Sequence, residues 1–111
     1  MELDIQTKKG ITIIKVDGKL DASSSSDLKI RFADLLKEKI NYLINMQEVP
    51  FIDSTGLGSL VSCLKNAAGK DGDVKLCNLQ KKPRMVFEIT RAYRIFDIFD
   101  DEDTAVDSFF E

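Results

Sequence analysis

The sequence predicts an α/β fold, built on a mixed sheet of four to five strands with an antiparallel pair at its N-terminal end and about four helices. Two observations predict this class. Segments with strand-like alternation and β-branched residues open the chain, and helical and strand-like patterns alternate after residue 20. No linker and no internal repeat divides the 111 residues, so we expect one domain over residues 1–111.

The antiparallel pair is expected at residues 3–7 and 11–17. Apolar and polar side chains alternate in the first segment, which indicates a strand with one wet face at the edge of the sheet. The second segment is rich in β-branched residues and ends at the turn dipeptide Asp17-Gly18. Gly10 is expected to form the turn between the two strands.

Four consecutive serines, Ser23 to Ser26, precede the first predicted helix. We expect Ser24 or Ser25 to cap this helix, which should run to about Lys39. Its apolar stripe consists of Leu28, Phe32, Leu35 and Leu36. The apolar run that follows, residues 41–46, is typical of a central strand covered on both faces.

A second helix should follow the turn at residues 53–55 and end near Gly69. Residues 73–78 then form a strand, which we expect to lie parallel to the 41–46 strand because a helix connects the two in a right-handed crossover. The N-terminus of this second helix should therefore lie next to the end of the 41–46 strand.

The C-terminal part of the chain contains two further predicted helices. Pro83 suits the first turn of the third helix, and Thr104 is expected to begin the last, with Asp107 in a capping-box-like position. The apolar segment at 95–99 should dock onto the sheet or the last helix, since it is too apolar for a free loop.

Composition excludes several classes of function. A net charge of −3 and a pI near 5.0 argue against a general nucleic-acid binder, so the expected partners are proteins. The chain has no histidine and no cysteine pair with zinc-finger spacing, which argues against self-contained hydrolytic catalysis. We expect no metal and no cofactor. Cys63 and Cys77 are expected to be reduced and buried. Without an apparent signal peptide or membrane span, the chain is expected to be cytoplasmic.

The segment from Asp53 to Gly58 carries the strongest functional signal. It places an acid and two hydroxyls where an apolar strand gives way to a helix. The helix buries a stripe formed by Leu57, Leu60, Val61 and Leu64, which leaves the turn itself exposed. The hydroxyl of Ser54 could cap the helix, or it could accept a phosphate, which would bring roughly −1.5 to −2 charge to this position.

The neighbouring residues also have alternative roles. Thr55 is a second candidate acceptor, although it lies deeper in the helix and is β-branched. Asp53 could be a cap, a turn residue or the acid that orients the Ser54 hydroxyl. If Asp53 were itself the acceptor, the protein would be a receiver-like phosphoacceptor domain, but the first strand lacks the paired acids that hold Mg²⁺.

Glycines and polar residues complete the candidate partner-binding set. Gly56 and Gly58 lack the remaining glycines of a nucleotide-binding loop, so a steric role is favoured: a glycine in the first helical turn lets another backbone approach. We expect Asp21 and Ser23 to act mainly as capping residues, although they could also line the partner surface. The full predicted set is Asp21, Ser23, Asp53, Ser54, Thr55, Gly56, Leu57 and Gly58.

With these residues placed, the chain resembles the anti-sigma factor antagonist family, the single-domain form of the STAS (sulfate transporter and anti-sigma factor antagonist) module. Residues 53–58 are similar to the family signature Asp-Ser-(Ser/Thr/Ala)-Gly-Leu-Gly. Residues 18–21 resemble its Gly-x-Leu/Ile-Asp element, and 95–100 with Ala105 resemble its C-terminal stretch. Asn45, where many relatives carry an acid, and residues 91–93 depart from the family pattern.

The resemblance implies a mechanism without catalysis by this chain. It implies that the unmodified protein binds an anti-sigma factor serine kinase and thereby frees a sigma factor. Phosphorylation of Ser54 by that kinase would release it, and a PP2C-type phosphatase would reset the switch. The resemblance also implies a monomer, while some relatives regulate pathways that involve no sigma factor.

Overall fold

The computed structural model describes residues 1–111 and contains five strands and four α-helices. In chain order these are β1 (Glu2–Lys8), β2 (Ile11–Asp17), α1 (Ser25–Leu35), β3 (Asn41–Glu48), α2 (Ser54–Ala68), β4 (Asp73–Cys77), α3 (Lys81–Ile89), β5 (Ile98–Phe99) and α4 (Glu102–Ser108). The strands lie in the order β1-β2-β3-β4-β5. Only β1 runs antiparallel to its neighbour, so the predicted mixed α/β sheet is confirmed.

The N-terminal hairpin closes through Lys9 and Gly10. Both residues have positive φ values, 51° and 82°, as a type I′ turn requires at its two central positions. This turn matches the twist of the flanking strands and pairs Lys8 with Ile11. β1 lies at the edge of the sheet, as its alternating pattern predicts.

Helices cover both faces of the sheet, and the larger core lies under α1, α2 and α3. Tyr42, Ile44 and Met46 of β3 point into this core, where they join Phe32 and Leu60 from two of the helices. A smaller cluster lies between the opposite face and α4; it consists of Ile11, Ile13, Leu43, Cys77, Ala105 and Val106. The alternation along β3 confirms the prediction of a central strand covered on both sides.

Two predicted helix boundaries are wrong. α1 ends at Leu35 instead of near Lys39, because the chain tightens into a turn there: the N–H of Lys37 donates to the carbonyl of Asp34 three residues back. α4 begins before Thr104, because the side chain of Asp101 accepts from the Thr104 N–H at 2.8 Å and takes the capping role.

The apolar segment before α4 docks only in part. Phe96 is 3% exposed and packs edge-to-face on Phe87 with ring centroids 5.8 Å apart, and residues 98–99 form β5. Ile95 is 56% exposed, so the expectation that it also docks is wrong.

Cys63 and Cys77 are free and buried as predicted, and burial raises the pKa of each thiol to about 12. No helix has the length and hydropathy required to cross a bilayer.

Polar contacts attach α4 to the sheet. The carboxylate of Glu102 accepts from the Lys8 ammonium and, at 2.8 Å, from the Asn45 amide. The hydrogen bond from Lys8 is the main cause that holds the pKa of Glu102 below its usual value. The Lys75 ammonium donates to the Ser108 hydroxyl at 2.8 Å and lies 4.6 Å from the centre of the Phe109 ring.

We expect the stability of the fold to depend on the ionisation of Glu102. Because its pKa is lower in the folded state, the carboxylate stabilises the fold above its ordinary pKa, and this contribution is lost as pH falls through the folded value. Glu102→Gln should therefore lower the free energy of unfolding by on the order of 1 kcal/mol at neutral pH and by progressively less in acid. Urea unfolding across a pH series tests this.

Asp103→Asn is the matched control, since that side chain is 90% exposed and lies 3.9 Å from the Lys8 ammonium. A difference between Glu102→Gln and the unchanged protein that stays constant at every pH would contradict the proposed linkage.

Candidate functional site

Two loops meet at the carboxyl edge of the parallel strands. Residues 18–24 follow β2 and residues 49–53 follow β3. The N–H of Leu20 donates to the Phe51 carbonyl at 3.0 Å, and the N–H of Asp53 donates to the Leu20 carbonyl at 3.3 Å. The loops thus continue the parallel pairing past the strand ends. In open α/β sheets ligands bind at this edge. We call residues 20–24 and 51–58 the loop corner.

Asp53 holds the loop corner together through both carboxylate oxygens. Oδ1 accepts from the Gly56 N–H at 2.8 Å, which caps α2, and Oδ2 accepts from the Ala22 N–H at 3.2 Å. The helix therefore begins at Ser54 with Asp53 as its cap. The alternative in which Ser54 caps the helix is wrong, because the preceding carboxylate occupies that position.

Ser54 and Thr55 are exposed in the first turn of α2. The hydroxyl of Ser54 is not used in any hydrogen bond of the loop corner; the side chains that make them are those of Asp21, Ser23, Ser24, Asp53 and Ser59. The N–H groups of the first helical residues have no intrahelical partner, and they are the positive end of the helix dipole. An exposed hydroxyl therefore lies beside free donors.

The two glycines of the motif have different environments. A Cβ on Gly56 would lie 2.0 Å from the Leu20 carbonyl oxygen and 3.1 Å from Cγ1 of Ile52, so this glycine permits the contact between the two loops. A Cβ on Gly58 would meet nothing within 4 Å, and this residue is exposed. Leu57, 9% exposed, turns into the core. Of these three residues, only Gly58 is available to a partner.

Asp21 and the first serines form a second small network. The Asp21 carboxylate accepts from the Ser23 hydroxyl at 2.6 Å and from the Ser23 N–H at 3.0 Å, and the hydroxyl bond is the main cause that lowers the pKa of Asp21. Ser24 occupies the N-cap position of α1, but its hydroxyl donates to the Lys19 carbonyl instead of capping. Ser24 thus stabilises the loop, and the expected cap is absent.

The loop corner carries the acids Asp21 and Asp53, and none of the ion pairs in the structure involves its residues. Asn45, which departs from the family pattern, is 4% exposed and binds Glu102 of α4 on the opposite face of the sheet. This departure therefore removes no carboxylate from the loop corner. The contact between Asp53 and Ala22 could not be found from sequence, because it joins residues far apart in the chain.

We expect Gly56→Ala and Gly58→Ala to have opposite effects on stability. The first places a methyl group against a backbone oxygen that cannot move aside freely, so it should lower the free energy of unfolding by more than about 2 kcal/mol. The second should raise it by up to about 1 kcal/mol, because alanine favours the helix and meets no neighbour. Chemical denaturation of both variants measures the contrast. Equal effects would mean that the loop contact does not restrict residue 56.

Comparison with known proteins shows the family to which the chain belongs. The family model described as STAS domain matches residues 2–105. The anti-sigma-B factor antagonist of Bacillus subtilis (strain 168) is 28% identical over 98 residues, which cover 88% of this chain and 90% of that protein.

Two solved structures share the fold. A protein from Thermotoga maritima superposes with a TM-score of 0.92 at 22% identity, covering 98% of this chain and 95% of the other. The Bacillus cell fate determinant SpoIIAA, solved in its phosphorylated form, superposes with a TM-score of 0.73 at 17% identity, covering 97% and 99%. Topology and the matched range agree: the chain belongs to the STAS domain family, and its relatives include proteins named anti-sigma factor antagonists.

Proposed function

We propose that this protein is an anti-sigma factor antagonist regulated by phosphorylation of Ser54. In its unmodified form it binds an anti-sigma factor serine kinase through the loop corner, and the sigma factor held by that kinase is released. The observation that carries the proposal is the exposed, unbonded hydroxyl of Ser54 in the first turn of α2, inside the motif that resembles the signature of the antagonist family.

Geometry supports Ser54 over its neighbours as the acceptor. Both oxygens of Asp53 already accept backbone hydrogen bonds, which disfavours the receiver-like alternative in which Asp53 takes the phosphate. Thr55 is exposed too, but its β-branched side chain lies one residue further into the helix. A phosphate on Ser54 would lie next to the N–H groups that begin α2.

Electrostatics explains how one phosphate could end the complex. A standard interface buries about 1,200–2,000 Å², and a dianion within it, without a cationic partner, would be desolvated at a cost of several kcal/mol. The acids Asp21 and Asp53 add negative charge nearby, and no ion pair supplies a compensating cation. Changing a complex from almost fully bound to almost fully free requires about 5.5 kcal/mol, which is within reach of this effect.

A PP2C-type phosphatase that removes the phosphate would return the protein to its binding form. The role is that of a regulator in the cytoplasm, where sigma factors and their kinases act. The free thiols of Cys63 and Cys77 are compatible with a reducing compartment.

We expect Ser54→Ala to bind the kinase but to resist release by ATP, and Ser54→Asp to bind at least about tenfold more weakly. Only the second substitution places charge at the start of α2. Isothermal titration against the kinase, with ADP and then with ATP, measures both properties. Equal binding by the two variants would place Ser54 outside the interface.

Thr55→Ala is the matched control, because it removes the adjacent exposed hydroxyl and leaves Ser54 in place. It should still be phosphorylated on Ser54 and released by ATP, as the unchanged protein is. Mass spectrometry after incubation with kinase and ATP should identify a phosphate on residue 54 that resists hydroxylamine. A phosphate on residue 53 that hydroxylamine removes would support the receiver-like alternative instead.

We also expect phosphorylation to leave the fold intact. The dipole of α2 should stabilise the phosphate by about 0.3–1 kcal/mol, while the carboxylate of Asp53 opposes it by a similar amount. The melting temperature should therefore shift by no more than a few degrees, given roughly 4–8 °C per kcal/mol for a domain of this size. Calorimetry of the two forms tests this, and amide shifts that spread beyond the loop corner would indicate release by refolding.

A further inference from the structure

The outer edge of β1 presents an open row of backbone hydrogen-bonding groups. β1 is the first strand of the sheet and pairs only with β2. The two-residue turn makes Lys8 and Ile11 a hydrogen-bonded pair, so alternate residues of β1, counted back from Lys8, bond to β2. Leu3, Ile5 and Thr7 therefore direct their N–H and C=O groups outward. An edge of this kind can pair with another strand.

An apolar groove lies beside this edge. It has a volume of about 540 Å³ between β1 and α1, and its apolar lining includes Leu3, Ile5, Ile30 and Leu35. Ile5 is 40% and Ile30 is 70% exposed. The charged residues of β1 all lie on its other face, since residues 2, 4 and 8 alternate with this apolar set. β1 itself therefore places no charge on the groove side. The charged side chains that line the groove, Arg31, Asp34 and Lys37, come from α1 and the turn after it.

We propose that this edge pairs with the same edge of a second copy of the chain, antiparallel and with two-fold symmetry about Ile5. Ile5 would face Ile5 of the second copy, and Leu3 would face Thr7 of the second copy. In this register the outward groups match, so each such pair exchanges two backbone hydrogen bonds. The two sheets would become one continuous sheet.

Charge complementarity specifies the second copy as the occupant. On the face opposite the groove, Glu2 would lie across from Lys8 of the second copy and Asp4 across from Gln6, so no like charges are directly opposed. A shift of the two-fold axis to Asp4 would oppose two aspartates. A shift to Gln6 would separate the two Ile5 side chains and leave Glu2 across from the turn. The strand therefore favours one self-complementary register over all seven of its residues.

The pairing would cover the groove and leave the loop corner free. Side chains directly opposite each other in an antiparallel pair share a face, so both α1 helices would flank the Ile5 pair. The exposed Ile30 side chains of the two copies would then lie toward the interface between the paired β1 strands. The groove uses residues 30–35 of α1 and Lys37 beyond its end, and it shares no residue with the loop corner. The dimer does not depend on the proposed function and differs from the monomer that the family resemblance implies.

Amide exchange separates the paired edge from the free edge. In a monomer the N–H groups of Asp4 and Gln6 are protected by β2, while those of Leu3, Ile5 and Thr7 exchange quickly. We expect the latter three to become protected as the protein concentration rises, together with the appearance of a dimer in sedimentation velocity. A monomer at every concentration, with these amides always unprotected, would overturn the proposal.

Substitutions at the two-fold axis provide the sharper test. Ile5→Lys and Ile5→Glu should each raise the dissociation constant of the dimer at least about tenfold, because each opposes two like charges. An equimolar mixture of the two variants should associate again, since lysine would then face glutamate. Ile95→Lys is the matched control, with a similarly exposed isoleucine remote from β1, and it should dimerise normally.

Melting curves of each variant establish that it is folded. If the two Ile5 variants dimerise like the unchanged protein, the interface lies elsewhere. If they are folded and monomeric but their mixture does not associate, the two copies do not meet at Ile5. Either result would overturn the proposed pairing.

Discussion

The close approach of the Leu20 carbonyl to Gly56 is the contact on which the structure of the loop corner depends. It brings the loop after β2 against the first turn of α2, with no room for a side chain between them. Asp53 then bonds to both segments, through the N–H groups of Ala22 and Gly56. A single carboxylate and a missing methyl group thus determine where the helix starts and which residues of its first turn face solvent.

The two faces of the sheet are held by different kinds of interaction. The face under α1, α2 and α3 is closed by a large apolar core, in which Phe32 and Leu60 are almost fully buried. The α4 face relies on a smaller apolar cluster and on polar contacts made by Glu102 and Lys75. Because Asn45 belongs to the second group, its amide stabilises α4 and has no direct contact with the loop corner.

The two surfaces proposed to bind partners lie at different places on the sheet. The loop corner lies at the carboxyl end of the parallel strands and is negatively charged and polar. The β1 edge lies at the side of the sheet and combines open backbone groups with an apolar groove. If both proposals hold, a dimer would present two loop corners to kinase molecules, and each could be switched without disturbing the strand pairing.

The sequence by itself determined the order of the elements and the antiparallel start of the sheet, and it indicated residues 53–58 as the candidate site. These features follow from local periodicity, turn residues and a contiguous motif, which depend on neighbours in the chain. The local pattern was wrong at two helix boundaries: it placed the start of α4 at Thr104 and the end of α1 near Lys39. At each position a nearby carboxylate or a tightened turn competes with the periodic signal.

Only the tertiary structure decided which member of the motif does what. Asp53, not Ser54, caps α2, Gly56 is required by a loop more than thirty residues earlier in the chain, and Leu57 belongs to the core. The open edge of β1 can likewise be identified only when the strand order is known, together with which alternate residues of β1 bond to β2. A sequence pattern shows how apolar and polar residues repeat along one segment. The roles of Asp53, Gly56, Leu57 and the β1 edge depend instead on contacts between segments, which form only when the chain folds.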